Sequence, residues 1–285
     1  METRLFTCLI EEQNDKEPFV QVYWANAEHL GTAIELVLDA ALNNGLNNPI
    51  ARECDLYDIN NLQQEVMPDT ESKVFWSTSR YFFPPEKTFS FSHGIISSCL
   101  EGEHDIDEIV SGYSSTAEGG LITIEVNVEH GEILNLYGKI INLHSPYKVF
   151  WYVLHDHWND EETDRFLVNE DINTADKIIS HISENKADSV ENGYVTLTAY
   201  LEEGSTNISI TDHKRVVVRT YSELVAARVR KHLNTVGYKE FNSLVSIDNK
   251  IYHWHYRSST SKSKRELEES LKRLGFVDWQ PNKPD

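Results

Sequence analysis

The stretch Lys214–Trp279 reads KRVVVRTYSELVAARVRKHLNTVGYKEFNSLVSIDNKIYHWHYRSSTSKSKRELEESLKRLGFVDW, and its two halves echo one another. Each half closes on the pattern Gly-aromatic-x-acid-aromatic, first at Gly237–Phe241 and again at Gly275–Trp279. Val216, Val217 and Val218 are β-branched and predict a buried strand. Thr220 stands three residues before Glu223, a capping-box spacing that opens a helix. Val225, Val229, Leu233 and Val236 then form one apolar stripe, and Gly237 is placed to end the helix in the left-handed conformation. Phe241–Ile247 and Ile251–Tyr256 flank Asp248-Asn249-Lys250 and read as a hairpin. Ser263 and Glu266 make a second capping box, followed by the stripe Leu267, Leu271, Leu274 and the stop Gly275.

The resulting order, βαββαβ over 214–279, resembles the ferredoxin-like arrangement of two helices on one face of an antiparallel sheet. The expected fold class is therefore α+β, with mostly antiparallel sheets, helices on one face and this C-terminal module. Its predicted core is Val217, Val225, Val229, Leu233, Val245, Leu267, Leu271 and Leu274. Many unrelated functions use such a fold, so it carries no activity with it.

Outward from this stretch, 285 residues suffice for two domains, expected at 1–145 and 146–285 with the break near His144-Ser145-Pro146. Leu5–Glu11 and Phe19–Trp24 read as strands; Asn26 reads as the cap of a helix carrying Leu30, Ile34, Val37, Leu38 and Ala41. Ser114–Gly120 is rich in small residues and reads as a flexible turn. Leu121–Glu129 alternates as a strand, with His130-Gly131 as a hairpin turn and Ile133–Ile141 as the return strand. Tyr147–His157, Phe166–Val168, Tyr194–Leu201 and Ile208–Thr211 are further strands, with a helix after Asn173. Lys-Val-Phe-Trp occurs at 73–76 and again at 148–151, each time opening a strand.

Charge is distributed unevenly. The net charge is −20; residues 1–212 hold 11 basic and 38 acidic groups, residues 213–285 hold 15 and 8. A field this negative repels nucleic acid and favours basic partners. The start lacks an apolar leader, no run is long enough to span a bilayer, and Cys8, Cys54 and Cys99 fit neither a disulfide framework nor a zinc pattern. A reducing cytoplasm is the expected setting.

Histidines form the one constellation with chemical promise. His155 and His157 share a strand face, and His253 and His255 repeat that spacing. Asp160 comes too late for the His-x-His-x-Asp-His run of metallo-β-lactamase type, and Asp105-Ile106-Asp107 lacks the glycine of a calcium loop. The histidines are accordingly read as structural or surface residues, with no catalytic residue, metal or cofactor expected. No Gly-x-Ser-x-Gly is present.

The sequence thus points first to a non-enzymatic binding protein, similar in character to toxin-immunity proteins and inhibitors, that neutralises a basic toxin or enzyme by direct contact. Glu101, Glu103, Asp105, Asp107 and Glu108, with Asp160, Glu161, Glu162 and Asp164, would meet the partner, and Tyr81 or Phe82 would anchor it. Two alternatives stand beside this. One is a metal-dependent hydrolase using His155, His157, His253 and His255. The other is an RNA-binding regulator using Arg257, Lys262, Lys264 and Arg265 with the alternating Tyr252, Trp254 and Tyr256.

Overall fold

The structure, a computed structural model, describes residues 3–12, 19–57, 66–68, 74–82, 89–97, 109–158, 163–249, 253–258 and 260–279. The chain begins with β1 (Arg4–Glu12), β2 (Phe19–Ala27), α1 (Leu30–Asn43), β3 (Pro49–Leu56), β4 (Val66–Pro68), β5 (Val74–Ser77) and β6 (Tyr81–Phe82). These strands form one antiparallel sheet in the order β3-β1-β2-β5-β4, with β6 also paired to β2. Alternate residues of β1 and β2 face α1, so Phe6, Cys8, Ile10, Tyr23 and Ala25 bury against Ala33, Ile34, Val37 and Ala41. Helix α1 starts after His29 with no side-chain cap, while the expected cap, Asn26, belongs to β2.

A second sheet holds eight strands. In chain order the elements are β7 (Ile95–Ser97), β8 (Gly112–Glu118), β9 (Leu121–Asn127), α2 (Ile133–Ile141), β10 (Val149–Leu154), β11 (Arg165–Asn169), α3 (Ala175–Glu184), β12 (Val195–Leu201), β13 (Thr206–Ile210), β14 (Val216–Thr220), α4 (Glu223–Thr235), β15 (His253–His255), α5 (Lys264–Arg273) and β16 (Val277–Asp278). The sheet runs β16-β11-β10-β12-β13-β14-β9-β8, antiparallel at every step. Four helices share one of its faces. Tyr137 and Ile140 of α2, Ile178 of α3, Val229 and Leu233 of α4 and Leu271 of α5 pack on Phe150, Tyr152, Leu197, Ile208, Val216 and Ile124. The remaining pair, β7 with β15, forms a separate two-stranded sheet.

The α+β class with antiparallel sheets is what the chain adopts, and the two helices of 214–279 form with their expected stops at Gly237 and Gly275, both at positive φ. The capping box at Ser263 and Glu266 is present; at α4 the cap is Ser222 rather than Thr220. The strands of this stretch do not pair with each other, however. Strand β14 lies between β13 and β9, β15 pairs with β7, and β16 caps the far end of the sheet on β11. Phe241–Ile247 forms no strand; the chain there makes a single bridge, Glu240 to Tyr113. The ferredoxin-like sheet is therefore corrected to an eight-stranded one that recruits strands from as far back as Gly112. That sheet draws strands from both sides of the 145/146 boundary. Of the expected core, Val217, Val225, Val229, Leu233, Leu267 and Leu271 are buried, but Leu274 is 51% exposed.

Two further expectations change. Ile133–Ile141 is a helix, because Ile133, Leu136, Tyr137, Ile140 and Ile141 recur at helical spacing. Ser114–Gly120 is mostly strand β8, joined to β9 through Gly119 and Gly120, both at positive φ as a tight hairpin turn needs. The two Lys-Val-Phe-Trp runs do open strands, β5 and β10, but in different sheets.

Candidate metal centre

Three central strands and one small strand bring histidines to the same end of the large sheet. His155 follows the last residue of β10 and His157 lies in the short helical turn Asp156–Trp158. Thr211–Arg215 turns β13 into β14 and carries Asp212 and His213 at its tip. Strand β15 presents His253 and His255 two residues apart, hence on one face.

Backbone contacts seat β15 over this end. Gly193 N–H donates to the Tyr256 carbonyl at 2.9 Å, and Tyr256 N–H donates to the Gly94 carbonyl at 3.0 Å. The Tyr194 hydroxyl donates to the His255 carbonyl at 2.8 Å. The chains meet so closely that a Cβ on Gly193 would lie 1.8 Å from the Gly94 carbonyl oxygen, so only glycine fits there.

The five imidazoles form one contact group. Ring centroids of His157 and His255 are 4.4 Å apart, His213 and His255 4.7 Å, His213 and His253 4.9 Å, and His155 and His157 5.2 Å. Within it are two sets of three whose ligand atoms all lie within 4.8 Å of one another: His213, His253 and His255, and His155, His157 and Asp212.

Hydrogen bonds orient the first set. His213 Nδ1 faces Asp212 Oδ1 at 3.2 Å, which turns its Nε2 to within 3.0 Å of His253 Nε2. His255 Nδ1–H donates to the Gly193 carbonyl at 2.5 Å, leaving Nε2 with its lone pair. A carboxylate or carbonyl behind the ring is the arrangement that aims metal-ligating histidines.

Electrostatics follow from burial and these contacts. Burial pushes His255 down to about 3, so its ring is neutral and able to ligate. Burial also lowers His157. For His213 burial opposes protonation, but the bond to Asp212 and the charges of Asp212 and Asp248 outweigh it and raise the ring. Burial opposes ionisation of Asp212 too, yet the bond from His213 and the nearby His213, His155 and His255 hold its carboxyl well below the usual carboxylate range.

No family model, curated protein or solved structure matches this chain.

The structure thus brings together the two His-x-His pairs that the sequence places on separate strands. Asp212 and His213 join them, although the sequence reading did not single them out. Their signal was present: an Asp-His pair in the turn between two strand-like runs, Ile208–Thr211 and Val216–Thr220. Of the expected partner-binding residues, Asp164 lies beside His155, with Oδ1 3.7 Å from Nδ1, and accepts from the Asp156 N–H at 2.8 Å. Tyr81 and Phe82 pair with Val20 and Phe19 in the first sheet. Glu101, Glu103, Asp105, Asp107, Glu108, Asp160, Glu161 and Glu162 lie outside the described residues.

The basic groups of the RNA-binding alternative are engaged within the chain. Lys262 pairs with Asp188, the Arg257 guanidinium donates to the Ser261 carbonyl at 2.7 Å, Lys264 is buried, and the exposed Arg265 pairs with Glu269. Tyr256 packs in the core of the first sheet, and Tyr252 lies outside the described residues.

Proposed function

We propose that this protein binds a divalent transition-metal ion through His213, His253 and His255 and serves as a metal-dependent hydrolase. The observation that carries this reading is the convergence of three imidazoles, two of them oriented from behind by Asp212 and by the Gly193 carbonyl. Three imidazole nitrogens with one remaining position make the donor set of a catalytic zinc site, where the ion brings bound water to a pKa of about 7. Asp248, with Oδ1 3.5 Å from His213 Nδ1 and a salt bridge to Arg215, adds negative charge behind the same ring. The surplus of carboxylates over the first 212 residues draws cations toward the chain. Cys8 and Cys54 are free thiols, which favours a reducing compartment such as the cytoplasm.

Metal analysis of the purified protein after equilibration with Zn²⁺, paired with calorimetric titration, tests the reading. Binding should be stoichiometric, and His253→Ala should weaken it by at least about tenfold, the loss that follows even when only a group behind a ligand is removed. Hydrolysis of activated ester and phosphoester substrates should then depend on the ion. A wild-type chain that takes up no metal would overturn the proposal.

A second reading is the acidic inhibitor or immunity-type protein. It is supported by the net charge of −20 and rests on contact with a basic protein through Glu101–Glu108 or Asp160–Asp164. Immobilised protein should then retain a basic host protein at low salt and release it as salt rises, and triple reversal at Glu103, Asp105 and Asp107 should slow its capture. Retention that ignores both salt and reversal would leave the acidity as solubility charge.

A further inference from the structure

We propose that His155, His157 and Asp212 hold a second divalent first-row metal ion, beside the first and distinct from it. Two imidazoles and one carboxylate make up this set, a harder donor group than three histidines and one that suits zinc, manganese or ferrous iron. His157 Nε2 lies 3.8 Å from Asp212 Oδ2, and His155 Nε2 lies 3.9 Å from Asp212 Oδ1. Ligand atoms around a tetrahedral ion with bonds of about 2.1 Å are about 3.4 Å apart. The three ligand atoms, one per residue, lie within 4.8 Å of one another, so a pair needs to close by at most about 1.4 Å, within reach of side-chain rotation.

The local bonds allow that closure. The Thr196 hydroxyl accepts from the Asp212 N–H at 2.9 Å, which anchors the carboxylate's backbone. The same hydroxyl lies 2.9 Å from His155 Nε2, a contact that the ion replaces. On the opposite side of the ring His155 Nδ1 faces Asp164 at 3.7 Å, a carboxylate placed to support the ring once it ligates. His157 Nδ1 faces Asp156 at 3.7 Å in the same way.

Two ions rather than one follow from how His213 is placed. Its Nδ1 side meets Asp212 and its Nε2 side meets His253. The imidazole therefore stands between Asp212 of one donor set and His253 of the other, and the two sets are separate groups of three. Asp212 belongs to both sets in different roles: one oxygen orients His213 for the first ion, and the carboxylate ligates the second. This coupling rests on the first site being a metal site; the ligands His155 and His157 do not.

The test is a count of ions per chain. Wild-type protein equilibrated with Zn²⁺ and desalted should carry two, and titration with Co²⁺ should show two breaks in visible absorption. His157→Ala, on a partly exposed turn, should bind one ion, as should the milder His157→Gln; circular dichroism checks that each folds. His253→Ala should also bind one. Asp212→Asn should lose the second ion and weaken the first. One ion in the wild type, lost in His253→Ala and kept in His157→Ala, would overturn the second site and leave the first standing. No ion in the wild type would overturn both. Two ions in both wild type and His157→Ala would place the second elsewhere and overturn this assignment.

Discussion

At the scale of single residues the chain contains several groups whose ionisation the fold disturbs, and Glu35 lends itself to measurement because it lies outside both candidate metal sets. It sits on α1, its side chain 12% exposed, with the Arg257 N–H at 3.2 Å and the guanidinium at 4.0 Å. Burial raises it to about 7 in spite of the Arg257 charge and hydrogen bond. The sign of the consequence is fixed by proton binding. Between about 4.5 and 7 the native carboxyl keeps a proton that the unfolded chain has released, so stability falls as pH rises through that window. Glu35→Gln retains an oxygen for the Arg257 N–H and removes the titration. The variant should match wild type near pH 4.5 and exceed it by roughly 1–3 kcal/mol at pH 8. Denaturant unfolding at the two pH values measures the difference; a constant offset would show that Glu35 does not titrate in this window.

At the scale of elements, α5 contrasts two leucines that look equivalent in the sequence. Leu271 is 2% exposed and packs in the large core, while Leu274 follows the last turn and is 51% exposed. Leu271→Ala should cost about 2–5 kcal/mol through the cavity it leaves, and Leu274→Ala no more than about 0.5 kcal/mol. Equal effects in thermal melts would contradict the packing. The same comparison explains what could be read in advance. Helices α4 and α5 were legible because capping residues, apolar stripes and terminal glycines are local signals. Strand partners were not. β14, β15 and β16 follow one another in the chain yet share no neighbour, and nothing within 214–279 encodes Leu121–Asn127 as a partner of β14. Ile133–Ile141 was misread for another reason: its three isoleucines favour strands by type, and only the spacing of its apolar residues reveals the helix. The histidines were visible as two pairs. Their meeting was not, since it depends on β15 being seated against Gly193 and Gly94, a contact between residues far apart in the chain.

At the scale of the whole molecule, the histidine cluster lies where the two large sheets are tied together. His155, His157 and His213 belong to the end of the eight-stranded sheet. His253 and His255 sit on β15, and the residues just after them reach the first sheet's unit, with Tyr256 in its core and Arg257 beside Glu35 of α1. An ion held by His213 together with His253 and His255 therefore cross-links these parts, and it binds the folded chain in preference to the unfolded one. Linkage then raises stability by about 2.7 kcal/mol when free metal is a hundred times the dissociation constant. For a chain of this size that shifts the melting temperature by roughly 5 °C or more. Melts across a Zn²⁺ series should rise with concentration and return to baseline with a chelator, and His253→Ala should flatten the series. Hydrogen exchange should slow most at β15 and the Thr211–Arg215 turn, because those segments supply the ligands. Protection spread evenly over the first sheet, with none at β15, would mean that the ion acts elsewhere on the surface and that the two sheets are joined without it.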